Sequence, residues 1–340
     1  MLVAALSQAF IAFTIEADNE VESRMPHRTA ADRDDSSKTG PWLTSLTYWQ
    51  NYLRHLPSEG LATRSLALLG GDDASSLASR LGELRRWGYV RVLPGEPGDR
   101  IVQPTRWGNL ARDTWAPIEL LVEDRWRERF GDSVDRLKDA LAALGPDGPL
   151  GFPILAWDRA TTLRMPTELP EITPGLSTLL TRALLLVARD FDRSSILSLG
   201  MTANLIPVLD APRDLRELPG LTGLSKEAIA IGVGRLVRSE LATETSRVVQ
   251  LTRKGQKVAA TATEQLGELE ANWSTRTKDV TDVLDAIVGP SLALGLAPLP
   301  EGWRSRAPYL TQTQAMLKDP VAALPRFPMV SHRGGYPDGC

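Results

Sequence analysis

Serines 75, 76 and 79 lie in the stretch SSLASRLGELRRWGYVRV, where Leu77, Leu81 and Leu84 recur at helical spacing. With those leucines turned to a core, Ala74, Ser75, Ala78, Ser79, Gly82 and Glu83 form an outward stripe. The hydroxyls of Ser75, Ser76 and Ser79 can bond phosphates or base edges, and Arg100, in the hairpin that follows, can reach a phosphate. A second stretch, KEAIAIGVGRLVRSELA, puts Lys226, Glu227, Ala230, Ile231 and Gly234 on the matching face, with Arg235 and Arg247 nearby. Residues 71–106 hold six arginines against five acids; residues 223–257 hold seven Lys/Arg against three glutamates. The chemistry is anion binding, and the second stretch has the better charge for it.

A different chemistry attaches to Trp42, Tyr48, Trp49, Asn51 and Tyr52, with a counterpart at Met201, Asn204 and Leu205. Such a cluster suits a small amphipathic ligand, and it equally suits a packed core in which each asparagine satisfies a buried backbone group. The tail LPRFPMVSHRGGYPDGC carries enough large apolar side chains to dock as an arm. A docked arm would place His332 as an acid or base near neutral pH and Arg333 as an anion holder.

Other chemistries find little support. The three histidines, His27, His55 and His332, have no carboxylate or cysteine at ligand spacing, so no metal is expected. The single cysteine, Cys340, rules out an internal disulfide framework and fits a reducing cytoplasm. Neither a Gly-rich phosphate loop nor a nucleophile elbow occurs, so no cofactor is expected and an enzyme is the less favoured class. The opening MLVAALSQAFIAFTI lacks a basic leader and runs into Glu16, Asp18 and Glu20, which fits a buried or partner-facing helix rather than a signal or membrane span. At 340 residues, 42% hydrophobic and 24% charged, the chain suits two globular domains. A net charge of -3 gives no global attraction to phosphate, so binding to nucleic acid must rest on local basic faces.

The elements that position these residues occur twice. TYWQNYLRHL, ELRRWGYV, QPTRWGNLA and EDRWRERFGDSV recur in the same order as GMTANLIPVL, RLVRSELA, QLTRKGQKVAA and LEANWSTRTKDV. Asn51 and Asn204, Gly82 and Gly234, Thr105 and Thr252, and Trp126 and Trp273 stand in register, with one slip where the second hairpin is clipped. Helices are expected at 2–23, 42–55, 61–68, 74–87 and 132–144, with a long one from Thr105 to about 130 bent at Pro117. In the second copy they fall at 176–193, 202–209, 213–218, 225–240 and from about 252. Gly82 and Gly234, each inside a helix, suggest a close approach by DNA, a ligand or another helix.

This pattern of helix, helix, reading helix, β-wing and long helix entered through a Thr-x-x-Gly turn resembles the winged helix-turn-helix of the MarR family. LGELRRWGYVRV…DRIVQPTRWGNLARDTW carries the resemblance closely and GRLVRSELA…RVVQLTRKGQKVAA less fully. It departs from the family at Ser79 and Ile231, where an arginine is usual. The resemblance implies a mainly α fold with small β-hairpin wings, made of two modules (1–150 and 176–289) joined by a linker (151–175) and followed by a Pro/Gly-rich arm (290–340). It also implies a covalent pseudo-dimer in the cytoplasm that binds double-stranded DNA and responds to a small-molecule effector received between base and reading head. The alternative is a descendant that has lost DNA binding and binds, sequesters or transforms a small molecule in the interdomain cleft.

Overall fold

The computed structural model describes residues 1–28, 40–72, 74–145, 174–306, 309–332 and 336–337. The first half runs α1 (Leu2–Arg24), α2 (Leu46–Asn51) tightening into a 3-10 turn at Leu53–His55, β1 (Leu61–Ala62), α3 (Thr63–Gly70) and α4 (Ala74–Arg86). It continues through β2 (Val90–Pro94), β3 (Arg100–Pro104), α5 (Arg106–Trp115), α6 (Ile118–Phe130) and α7 (Ser133–Ala142). The second half runs α8 (Leu176–Ser194), a π turn at Met201–Leu205 with a 3-10 turn at Ile206–Val208, β4 (Arg213–Asp214) and α9 (Leu218–Thr222). After these come α10 (Lys226–Arg238), β5 (Ala242–Thr245), β6 (Val248–Leu251), α11 (Arg253–Arg276) and α12 (Lys278–Ile287). The remainder holds α13 (Ala293–Leu296), α14 (Leu310–Lys318), α15 (Pro320–Ala323), β7 (Val330–His332) and β8 (Tyr336–Pro337).

The fold is therefore mainly helical with small antiparallel sheets. Each half has a three-stranded sheet, ordered β1-β3-β2 and β4-β6-β5. The outer strands β1 and β4 correct two expectations. The helix expected from 61 starts at Thr63, because Leu61 and Ala62 pair with Val102 and Ile101. The helix expected over 213–218 is instead a strand at 213–214, paired with Val249 and Val248, and a helix at 218–222. A two-residue strand leaves no alternation to be read.

The turns into α5 and α11 are built on the same plan. Thr105 Oγ1 accepts from the N–H groups of Trp107 and Gly108 and donates to Gly88 O; Thr252 Oγ1 accepts from Gly255 N–H and donates to Glu240 O. A Cβ on Gly108 would overlap Tyr89 O, and one on Gly255 would overlap Leu241 O, so only glycine lets the strand pass so close to the helix. Pro117 separates α5 from α6, whereas α11 continues unbroken for 24 residues.

The two halves share one hydrophobic core. Helix α1 is buried on nearly every side, packing against α8, α6, α11 and α12, while α7 packs on α12. Two tryptophans at matched positions fasten this base. Trp126 Nε1 donates to Glu16 at 3.1 Å and Arg129 pairs with the same carboxylate at 3.2 Å. Trp273 Nε1 donates to Asp190 at 3.1 Å and Arg276 approaches it at 3.7 Å.

Candidate functional site

On α4, Leu77, Leu81 and Leu84 are buried while Ala78, Ser79 and Gly82 are exposed, as the periodicity implies. Ser76 is half-buried, and Ser75 lies in the first turn of the helix. Glu83 turns inward to accept from the Tyr48 hydroxyl, and Arg80, on the next face, approaches Glu83 at 3.8 Å. The Tyr52 hydroxyl donates to Asp72, completing a polar cluster beneath the helix. Burial together with Glu83 and Asp72 holds the Tyr48 and Tyr52 hydroxyls well above the usual phenol range.

On α10, Ala228, Ile229, Gly232, Val233 and Leu236 are buried. Lys226, Ala230, Val237 and Arg238 are exposed, and Ile231, Gly234 and Arg235 are half-buried. Gly82 has no atom within 4 Å of an added Cβ, and Gly234 has only the tip of Arg238 at 3.4 Å. Close helix packing, one reading of these glycines, is therefore not what they serve. Both leave a shallow opening on the outward face.

The two hairpins, β2–β3 and β5–β6, differ at their tips. In the first, the loop between β2 and β3 turns on Gly98 at φ 84°, and Arg100 is exposed at the start of β3. In the second, β5 and β6 join through only Ser246 and Arg247, both at positive φ, 51° and 73°. That two-residue geometry is normally given to Asn-Gly. Arg247 is fully outward, and Arg253, Lys254 and Lys257 are exposed at the start of α11. Sequence reasoning missed Arg64 and Arg85, which join Arg100 around a cleft of about 680 Å³ between α3, α4 and the first wing. Its floor is Ala67, Leu77, Leu81 and Val92, and Asp99 accepts there from the Thr63 hydroxyl and Arg100 N–H. The signal available was an arginine at each outer end of the α3–α4 pair, Arg64 at the start of α3 and Arg85 at the end of α4.

No protein-family model, no curated protein and no solved structure matches the chain. Its function is therefore argued from its own geometry.

The aromatic cluster is taken into the core. Tyr48, Trp49 and Asn51 are buried, Trp49 stacks on Trp115 at 6.3 Å and donates to Arg112 O, and only Trp42 stands out, 44% exposed. Beneath α2, Gln50 donates to the Ser177 hydroxyl, which donates to Glu119. Arg54 lies beside this chain, with Nε and Nη2 buried and lacking a hydrogen-bond partner among the described residues. Burial pulls its pKa down to about 10, Arg182 adding to the fall and Glu119 opposing it.

Asn204 binds the tail: its side chain donates to Phe327 O at 2.7 Å and accepts from Phe327 N at 3.1 Å. Phe327 and Met329 are buried, and Met329 packs near Gly232. Strand β7 lies against α10, and β8 against α1 and α2. His332 ends β7; Arg333 and Cys340 lie outside the described residues. Among the described residues, no helix is long and apolar enough to cross a membrane.

Proposed function

We propose that the chain is a cytoplasmic MarR-like regulator: two winged helix-turn-helix modules, related by internal duplication, that bind double-stranded DNA as a single-chain pseudo-dimer. Support for the duplication is the matched set of contacts in the two halves. Thr105 and Gly108 answer to Thr252 and Gly255; Trp126 and Arg129 on Glu16 answer to Trp273 and Arg276 on Asp190. Helices α4 and α10 are the reading helices and β2–β3 and β5–β6 the wings.

The observation that carries the DNA reading is Arg247. A bulky cation held in left-handed backbone at the tip of the second wing costs about 1 kcal/mol that glycine would not. Keeping arginine there is reasonable if its charge meets phosphate or the minor groove. Arg238, Arg253 and Lys254 extend the cationic surface of that module, and Arg64, Arg85 and Arg100 supply the first.

The test is the substitution Arg247→Gly. Unfolding should become harder by about 1 kcal/mol, while affinity for a labelled duplex from the neighbouring intergenic region should fall and its salt slope lessen by about 1. A variant that gains stability without losing affinity would remove Arg247 from the interface.

Within the same reading, an effector received beneath α2 would be acidic, because Arg54 Nε and Nη2 have no hydrogen-bond partner among the described residues. Its binding would shift the spacing of the reading helices.

A second reading draws on the first module. Glu83 turns inward and Arg80 is half-buried, leaving Ala78, Ser79 and Gly82 as the outward stripe of α4, a poor set for base readout. On this reading the chain has given up DNA and holds a small molecule in a cleft. Lack of any duplex binding at low salt, with the protein folded, would favour it.

A further inference from the structure

The C-terminal segment builds a cleft that neither half has alone. Helix α15 lies across the N-terminal turns of α1, the turn 203–208, the end of α9 and the end of α12, enclosing about 630 Å³. That volume accommodates a small organic molecule. Part of its wall consists of short apolar side chains, Ala4, Ala5, Ala203, Pro207 and Val288, set among polar ones. Met1, Leu221 and Val321, all exposed by 45% or more, stand together at its rim. Large apolar side chains gathered around a concavity mark a place where something apolar is received.

Two charged residues line the same cleft, Asp285 at the end of α12 and Arg326 just after α15. Both are exposed, and neither has an ion-pair partner among the described residues. Three polar side chains of the lining are committed at least in part to the fold. Gln8 Nε2 donates to Val321 O at 2.7 Å, Asn204 holds Phe327 through both amide atoms, and the Thr222 hydroxyl donates to Leu218 O and accepts from Leu224 N–H. The cleft thus offers apolar side chains for part of a ligand, with Arg326 as a cation and Asp285 as an anion that have no ion-pair partner among the described residues.

We propose that this cleft binds a small zwitterion with an apolar body, namely a free amino acid with a large side chain or a short apolar peptide. Arg326 receives the carboxylate and Asp285 the ammonium, and the alanine- and valine-lined wall takes the side chain. Because α15 forms one wall, the ligand also fastens the C-terminal segment to α1 and to the second half. This inference does not rest on DNA binding and stands or falls separately from it.

The experiment is calorimetric titration and thermal shift of the full chain with L-tryptophan, L-leucine and L-leucyl-L-leucine, beside N-acetyl-L-tryptophan and L-tryptophanamide. One of the zwitterions should bind and raise the melting temperature in a saturable way. The acetylated and amidated forms should each bind at least tenfold more weakly. Arg326→Gln and Asp285→Asn, both at the surface and expected to fold, should reproduce those losses on the protein side. Preference for the dipeptide over the free amino acids would assign the site to peptides, and the reverse order to amino acids. Lack of binding by all three zwitterions at millimolar concentration, or binding unchanged in both variants, would overturn the proposal.

Discussion

Where the first half ends α4 on Gly88, the second ends α10 near Glu240, 152 positions later and in register with Gly82 and Gly234. Both residues sit in left-handed backbone, at φ 92° and 60°. The carbonyl of each accepts from the threonine that caps the next long helix. The path of the chain is therefore held by this network rather than by the residue at the turn, and the second half tolerates a strained glutamate where the first has glycine. The halves also find cover differently. The first places a polar cluster of Tyr48, Tyr52, Asp72 and Glu83 beneath α4. The second places Leu205 there, against Gly232, and takes Phe327 and Met329 from the tail.

The equivalence of the halves is broken most severely if the Thr-x-x-Gly turns are not equivalent. Gly108→Ala and Gly255→Ala should each destabilise by about 3 kcal/mol in chemical denaturation, since an added methyl would meet a backbone carbonyl that cannot swing aside. Tolerance in one half only would mean that the two turns do different jobs.

A second test exploits His55, whose counterpart in register is Val208. Burial, with Arg54 beside it, lowers the His55 pKa to about 3. The folded chain then refuses a proton that the unfolded chain accepts near pH 6.5. Stability contributed by neutral His55 is complete above that pH and falls by about 1.4 kcal/mol per unit as pH drops from 6.5 toward 3. The substitution His55→Val, copying the second half, should flatten the acid limb of a stability profile over this window. An unchanged limb would show that other groups govern acid unfolding.

The smallest effect concerns the strained turn itself. Glu240→Gly should raise stability by about 1 kcal/mol and Gly88→Ala should lower it by a similar amount, measured as midpoint shifts in urea. Equal responses of the same sign would contradict the shared conformation.

Much of this architecture could be read from the residues. Leucines at helical spacing located α4 and the matched threonines located the starts of α5 and α11, while at Pro117 the expected bend in one long helix is instead a break between α5 and α6. The short outer strands β1 and β4 could not, because two residues carry no periodicity and their pairing depends on a partner some forty positions away. Most outward residues of α4 and α10 were legible; the inward turn of Glu83 was not, since it answers to Tyr48, which lies on another helix. The tail's docking was suggested by Phe327 and Met329, but its hold on Asn204 depends on backbone atoms that no side-chain pattern announces. The cleft lined by Asp285 and Arg326 joins segments from both ends of the chain, so no local window contains it.

Helix α1 is made well before the segments that cover it. Its flanks await α8, and Ser7 and Gln8 receive their carbonyl partners, Pro325 and Val321, only when residues 321–325 have been made. Until then its apolar residues from Leu2 to Ile15 are exposed to whatever else is in the cell. Expressing residues 1–150 by themselves should therefore yield aggregate, and in the living cell the nascent chain should need a chaperone to shelter α1 until residues 321–325 arrive.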